Sequence, residues 1–229
     1  MLHNDTGELY RKCAGKKLTF SVVCEVGVYK PETSNILDFI HSGTKAILVE
    51  PDENSLKRIY EVFRDKHVEV HPCAIYDYNG KLELVQRDAS TFAKDLPSSP
   101  AQANDNYKID EQDTFTVDCK VFSEIDPGTI ELLSIDTEGC EWYVLKNLIS
   151  RPKIISMETH GRFYTNPFMK DIRNWIRTND YRVWYKTKSD TVYFKKGTMK
   201  LSLTEFTDLF FMHGYIFFRR LKKIFYRRN

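Results

Sequence analysis

An α/β protein with a mainly parallel sheet covered by helices on both faces is what this chain predicts, and three observations carry that expectation. Apolar β-branched runs alternate with helical 3–4 apolar spacings from residue 18 to residue 195, the pattern that sets strands side by side and helices on the sheet faces. Some runs are continuously apolar, such as Ala46-Ile47-Leu48-Val49, as strands buried on both sides require. The 229 residues suit one full-sized core.

The elements follow in order. Residues 18–26 are β-branched and stop at Gly27, residues 35–40 read as helix, and 46–49 as the second strand. Leu56, Ile59, Tyr60 and Phe63 give residues 54–63 a helical face, with Asp52 placed as its N-cap. Residues 68–75 are a third strand, and 81–85 an additional one after the Asn79-Gly80 turn signal. Residues 87–113 are polar, with prolines at 97 and 100, and read as a long loop that is disordered or functional. Strands at 114–121, 131–135 and 153–157 alternate with helices at 141–148 and 169–176. Residues 181–187 and 191–195 are joined by a short polar turn and should pair antiparallel. Ser202 and Glu205 have capping-box spacing at the start of a last, aromatic-rich segment.

Composition narrows the function. A mean hydropathy of -0.47 with no apolar run near 18 residues excludes a membrane span. With 34 basic and 32 acidic residues there is no global field to recruit nucleic acid. The charge is unevenly placed, however: residues 219–229 hold six basic and no acidic groups, leaving 28 basic against 32 acidic elsewhere. Five cysteines without CxxC spacing argue against a disulfide framework or structural zinc. The polar start lacks a signal-peptide apolar region. A reduced, cytoplasmic protein is the expectation, with attachment to a membrane surface as a variant of it.

Sheets of this class bind ligands beyond the carboxyl ends of their strands, and polar residues collect there. Gly27 follows the first strand and allows a tight turn and close approach of a ligand. Val28, Tyr29 and Pro31 break any GxGxxG pattern. Glu50 ends the second strand about 20 residues on, where a carboxylate can accept from both hydroxyls of a ribose. Asp136, Glu138 and Glu141 crowd one loop beside Gly139, and Glu158 and His160 end the next strand. Carboxylates so close repel unless a cation, a hydroxyl donor or solvent relieves them.

These residues form a familiar set. Glu25-Val26-Gly27, Glu50-Pro51-Asp52, Cys73-Ala74-Ile75, Ile135-Asp136-Thr137-Glu138-Gly139-Cys140-Glu141 and Met157-Glu158-Thr159-His160 together resemble the FkbM family of S-adenosylmethionine-dependent methyltransferases. The resemblance spans about residues 20–160. It implies a Rossmann-like class I methyltransferase fold: a mainly parallel seven-stranded sheet with an antiparallel closing hairpin, over residues 1–200, followed by a basic aromatic helical segment at 201–229. It further implies donor contacts from Glu25, Gly27, Glu50, Pro51, Ala74 and Asp136, with S-adenosylhomocysteine as product. Val28-Tyr29-Lys30-Pro31 departs from the family's smaller turn, and nothing family-wide matches beyond residue 200.

The family's usual acceptor is a hydroxyl, here expected on a sugar or glycan. An alcohol needs a general base as it attacks. Asp136, Glu138, Glu158 and His160 are the candidates. His160, whose ordinary pKa lies nearest neutrality, is expected as base with Asp136 orienting it. The acids stand in pairs rather than as a cage, so no metal ligand is assigned; magnesium is the alternative. Tyr107, Phe163, Tyr164, Phe168 and Trp184 offer rings on which a sugar could stack. Two rival readings are an NAD-dependent oxidoreductase, which should carry a glycine-rich diphosphate turn, and a non-catalytic nucleotide- or partner-binding module. The tail has its own two readings. On a helix, Phe217, Leu221, Ile224 and Phe225 share a side, which either packs on the domain or lets residues 215–229 engage anionic lipid or an acidic partner.

Overall fold

The computed structural model describes residues 7–86, 91–161 and 163–226, with side chains described as far as residue 218. In chain order the elements are α1 (Glu8–Gly15), β1 (Val22–Val26), α2 (Leu37–His41), β2 (Lys45–Val49), α3 (Glu53–Val62), β3 (Val68–His71), β4 (Ala74–Ile75), β5 (Gly80–Val85), β6 (Phe92–Ala93), α4 (Pro100–Asp105), β7 (Thr114–Lys120), β8 (Leu132–Ile135), α5 (Glu141–Lys146), β9 (Ile154–Glu158), α6 (Met169–Thr178), β10 (Tyr181–Lys186), β11 (Asp190–Lys195) and α7 (Leu203–Tyr226).

Seven strands form the main sheet in the order β10-β11-β9-β8-β1-β2-β3. The β1–β2, β2–β3, β1–β8 and β8–β9 pairs are parallel, and β11 alone runs against its neighbours β9 and β10. Strand order reverses between β1 and β8, which opens a crevice at their carboxyl ends. Adjacent residues of a strand serve opposite faces. Cys24, Leu133 and Ile155 pack with Val144, Leu145 and Ile172 from α5 and α6 on one face. Val23, Leu132 and Ile154 pack with Leu9, Phe39, Ile59 and Trp184 on the other.

Three departures from expectation shape the site. The run at 68–75 breaks at Pro72, which has no N–H to donate to a ladder; β3 stays in the main sheet while β4 leaves it. The residues beyond form a second sheet, β4-β7-β5-β6, with its own core around Leu82, Leu84, Phe92 and Leu96. The polar stretch expected as a loop contains β6 and α4. Its helix starts at a reciprocal capping box between Ser99 and Gln102, with Pro100 inside the first turn. Residues 87–90 of that stretch lie outside the described residues. Helix α1 was not expected; it buries Leu9 and Cys13 against the sheet. All five cysteines are buried free thiols.

Candidate functional site

The first loop of the site is a tight turn held from two sides. Gly27 has φ +83°, and a Cβ there would stand 1.8 Å from the main-chain oxygen of Asp136. The close approach that requires glycine here is of backbone to backbone, and Gly27 also lines the cavity described below. Gly27 N–H donates to Val49 O at 2.9 Å, and Asp136 N–H to Val26 O at 2.9 Å. The ends of β1, β2 and β8 are thus stitched together at this one residue.

Glu50 pins the next turn. Its Oε2 accepts from the N–H groups of Val28 (2.9 Å) and Tyr29 (2.8 Å), and Oε1 accepts from Asp52 N–H at 2.9 Å. Tyr29 sits at φ +53°, which helps aim both turn N–H groups inward. Such converging N–H groups form an anion cradle, and here the chain's own carboxylate fills it. A diphosphate would find those donors taken, which weighs against the dinucleotide reading. About one of the four acceptor positions of a carboxylate is left over on Glu50. Glu25 is held similarly, accepting from the Ser34 hydroxyl and from Asn35 N–H at 2.9 Å. Burial pushes Glu25 up to about 7, against those stabilising hydrogen bonds, and raises Glu50 as well.

The loop after β8 divides its acids. Glu141 is fully buried and folds back on the loop: Oε1 accepts from Thr137 N–H (3.1 Å), Thr137 Oγ1 (3.2 Å) and Gly139 N–H (3.2 Å), while Oε2 accepts from Asn166 Nδ2. This acid closes the loop. Glu138 adopts φ +52°, a conformation costly for a side chain with a Cβ. Asp136, Glu138 and Glu158 each bring a carboxylate oxygen within 4.8 Å of the others. Glu158 Oε2 is buried without a hydrogen-bond partner among the described residues. Asp136 stays open to the cavity; partial desolvation by the surrounding loops, then the charges of Glu138 and Asp190, raise it above the usual carboxylate range. Burial followed by the charge of Asp136 does the same to Glu158.

Together the strand ends and the second sheet enclose a cavity of about 380 Å3. Glu25, Gly27, Glu50, Pro51, Ala74, Asp136 and Glu138 all line it, so the expected donor contacts and two of the four expected catalytic residues meet in one place. Ile75, Leu82, Leu84 and Phe92 supply an apolar wall. His160 is elsewhere. It lines a second cavity, of about 450 Å3, with Arg173, Lys186 and Ile216. Its Nδ1 lies 2.8 Å from Thr159 Oγ1, which lies 2.7 Å from Thr191 Oγ1. His160 and Asp136, expected to work as a pair, thus line different cavities.

The rings proposed for sugar stacking also sort themselves. Trp184 is core and donates from Nε1 to Glu205 at 2.9 Å. Phe168 packs on Tyr143 and Tyr107 on Phe92. Tyr164 is buried, its hydroxyl having no hydrogen-bond partner among the described residues. Phe163 remains partly accessible, with Phe163 N–H and Tyr164 N–H both donating to Asn104 Oδ1 of α4 (2.7 and 3.1 Å).

Sequence reasoning missed Asp190, which lines the cavity and pairs in register with Glu158. The signal was available: an antiparallel strand begins at the edge where its parallel neighbours end. It also missed Asn166, whose buried amide holds Glu141.

The methyltransferase FkbM domain family matches residues 25–183. The chain belongs to the FkbM methyltransferase family. That match runs from Glu25 into the hairpin strand β10 and contains the residues that line the cavity except Ser189 and Asp190. A search of curated proteins finds no match. Among solved structures, the chain is similar to a ribosomal protein L11 methylase from Lactobacillus delbrueckii subsp. bulgaricus. The identity is 8% over 82% of this chain and 76% of that one, with a TM-score of 0.45. A putative RNA methyltransferase from Pyrococcus horikoshii shares 10% identity over 84% of both chains, also at TM-score 0.45. The usual donor of an FkbM methyltransferase is S-adenosylmethionine, and the cavity's chemistry fits it. Carboxylates suit a cationic sulfur and ammonium group, and the apolar wall suits an adenine ring.

Proposed function

We propose that this FkbM methyltransferase transfers a methyl group from S-adenosylmethionine to the oxygen of a hydroxyl, carried by a sugar or glycan. The observation that carries the reading is the meeting of tied acids, Glu25 and Glu50, with Asp136 and Glu138 across one switch-point cavity, where Glu158 stands within 4.8 Å of the latter two and completes a trio. The donor, when bound, supplies a methyl group on positively charged sulfur. The chain's work is to hold it, to set the acceptor oxygen in line and to take the hydroxyl proton. Glu25, Gly27, Glu50, Pro51 and Ala74 form the holding side, with Ile75, Leu82, Leu84 and Phe92 against the base.

The proton goes to the trio. Three carboxylates this close cannot all ionise cheaply, and raising a carboxylate's proton affinity makes it a stronger base. Asp136 borders both sides, at the point where transfer occurs. This reassigns the base from His160 to the acids, leaving His160 to the second cavity. A sugar or glycan acceptor agrees with the polar rim of the cavity at Thr137, Ser189 and Asp190.

A second reading keeps the same reaction and gives the trio to magnesium, which takes oxygen ligands. The 4.8 Å grouping, with the buried oxygens of Glu158 and Tyr164 beside it, favours it. One assay separates the readings. Radiolabelled methyl transfer is measured against sugars, sugar nucleotides and ribosomal RNA, with and without EDTA. Labelled sugar in EDTA supports the carboxylate base. Loss with EDTA and recovery with magnesium supports the metal. Label only on RNA, or none on any hydroxyl, contradicts the acceptor class.

A further inference from the structure

Helix α7 leaves its most apolar face uncovered. Its 24 residues span about 36 Å at 1.5 Å per residue. The start is well fixed: Ser202 and Glu205 form the expected capping box, and Glu205 also accepts from Trp184 Nε1 (2.9 Å) and Lys16 Nζ (2.6 Å). Ile216 is buried, so one side of the helix is docked. The other side carries Leu203, Phe206, Phe210, Phe211, Phe217 and Phe218, each 58–81% exposed. At ~100° per residue these six fall within an arc of about 140°. Counting Tyr215, α7 holds seven of the ten exposed large hydrophobic residues among those described. Of the stripe Phe217, Leu221, Ile224 and Phe225, only Phe217 has a described side chain, and it is 58% exposed at the edge of the cavity it lines.

We propose that this face lies in the interface of an anionic membrane. The reason for choosing lipid is charge. Residues 219–229 continue the chain with Arg219, Arg220, Lys222, Lys223, Arg227 and Arg228 and no acid. A Phe-rich amphipathic helix leading into a basic run is the composition that seats in headgroups, with the cations drawn to anionic lipid. Arg173 and Lys186 line the cavity beneath Ile216 and Phe217, adding positive charge where the helix meets the domain. No described helix is long and apolar enough to cross a membrane, so α7 lies on the surface. A second copy fits less well: α7 offers only Glu205, already engaged, and Asp208 to answer six cations. The seat would bring the bilayer to the edge beside His160, since Phe217 shares its cavity.

The test is co-sedimentation of the full chain with vesicles of phosphatidylcholine alone, or with roughly 30% phosphatidylserine. The wild type should bind the anionic vesicles at least about tenfold more tightly, and lose most of that preference in high salt. A triple variant, Phe206→Ser, Phe210→Ser and Phe217→Ser, should lose binding about tenfold while keeping its melting temperature and S-adenosylhomocysteine affinity. Equal vesicle binding by wild type and triple variant overturns the proposal. So does a wild-type dimer that the same variant converts to monomer without any vesicle binding, since the face would then belong to a second copy.

Discussion

The two sides of the switch-point crevice use carboxylates in opposite ways. On the β1–β2 side, Glu25 and Glu50 are each held by several backbone or hydroxyl donors and fix the turns around them. On the β8–β9 side, Asp136, Glu138 and Glu158 face one another within 4.8 Å. A carboxylate that accepts several N–H bonds holds structure together, and removing it costs stability. A carboxylate set against its own kind stores repulsion that a ligand or a proton can release. The first side is a preformed seat; the second is where chemistry can happen.

Substitutions should expose that difference. The largest effect belongs to Gly27→Val, whose side chain would collide with Asp136 O from a left-handed backbone conformation. Urea denaturation should show a loss above about 4 kcal/mol, or no folded protein at all. A mild loss would mean the two sides are not joined there. Glu50→Ala orphans three N–H groups, at Val28, Tyr29 and Asp52, and should cost about 2–4 kcal/mol without any ligand present.

The pH dependence comes next. Folding raises Glu25 from an ordinary 4.5 to about 7, so the native state binds its proton more tightly than the unfolded chain. Its favourable contribution is full below pH 4.5 and is lost as pH rises through 7, a change of about 3 kcal/mol. Asp136 and Glu158 are raised in the same direction. Melting temperature of the ligand-free protein should fall between pH 5 and 8, and Glu25→Gln should flatten that slope. A rising slope would contradict the burial account. The smallest expected effect has the opposite sign to Glu50→Ala. Asp136→Asn should slightly stabilise the ligand-free protein at pH 8 in urea denaturation while lowering turnover strongly, a stability–activity trade. Destabilisation would place Asp136 with the tied acids.

What could be read in advance follows the range of the interactions. The strand–helix order and the residues at strand ends depend on local patterns, and Glu25, Glu50, Asp136 and Glu138 do meet at one cavity. Asp52 caps α3 through Ser55 N–H at 2.7 Å, as its spacing indicated. Long-range contacts were not legible. Nothing local says that Gly27 meets Asp136, 109 positions away, or that Glu141 rather than Glu138 turns inward. The cavity that His160 lines was not legible either, because periodicity ends with β9 and cannot follow the irregular chain beyond it. The second sheet was hidden by short strands, β4 and β6 having two residues each, too few to show alternation. Helix α4 carried a readable Ser99–Gln102 box, masked by the polar residues around it.

The division of labour is tested most directly by calorimetric titration of S-adenosylhomocysteine into Glu50→Ala and Glu138→Gln at one pH. The account predicts an affinity about ten- to hundredfold weaker than wild type in Glu50→Ala, and one within about twofold of wild type in Glu138→Gln. Equal losses in both variants, or loss in Glu138→Gln alone, would contradict the assignment of the donor to the β1–β2 side.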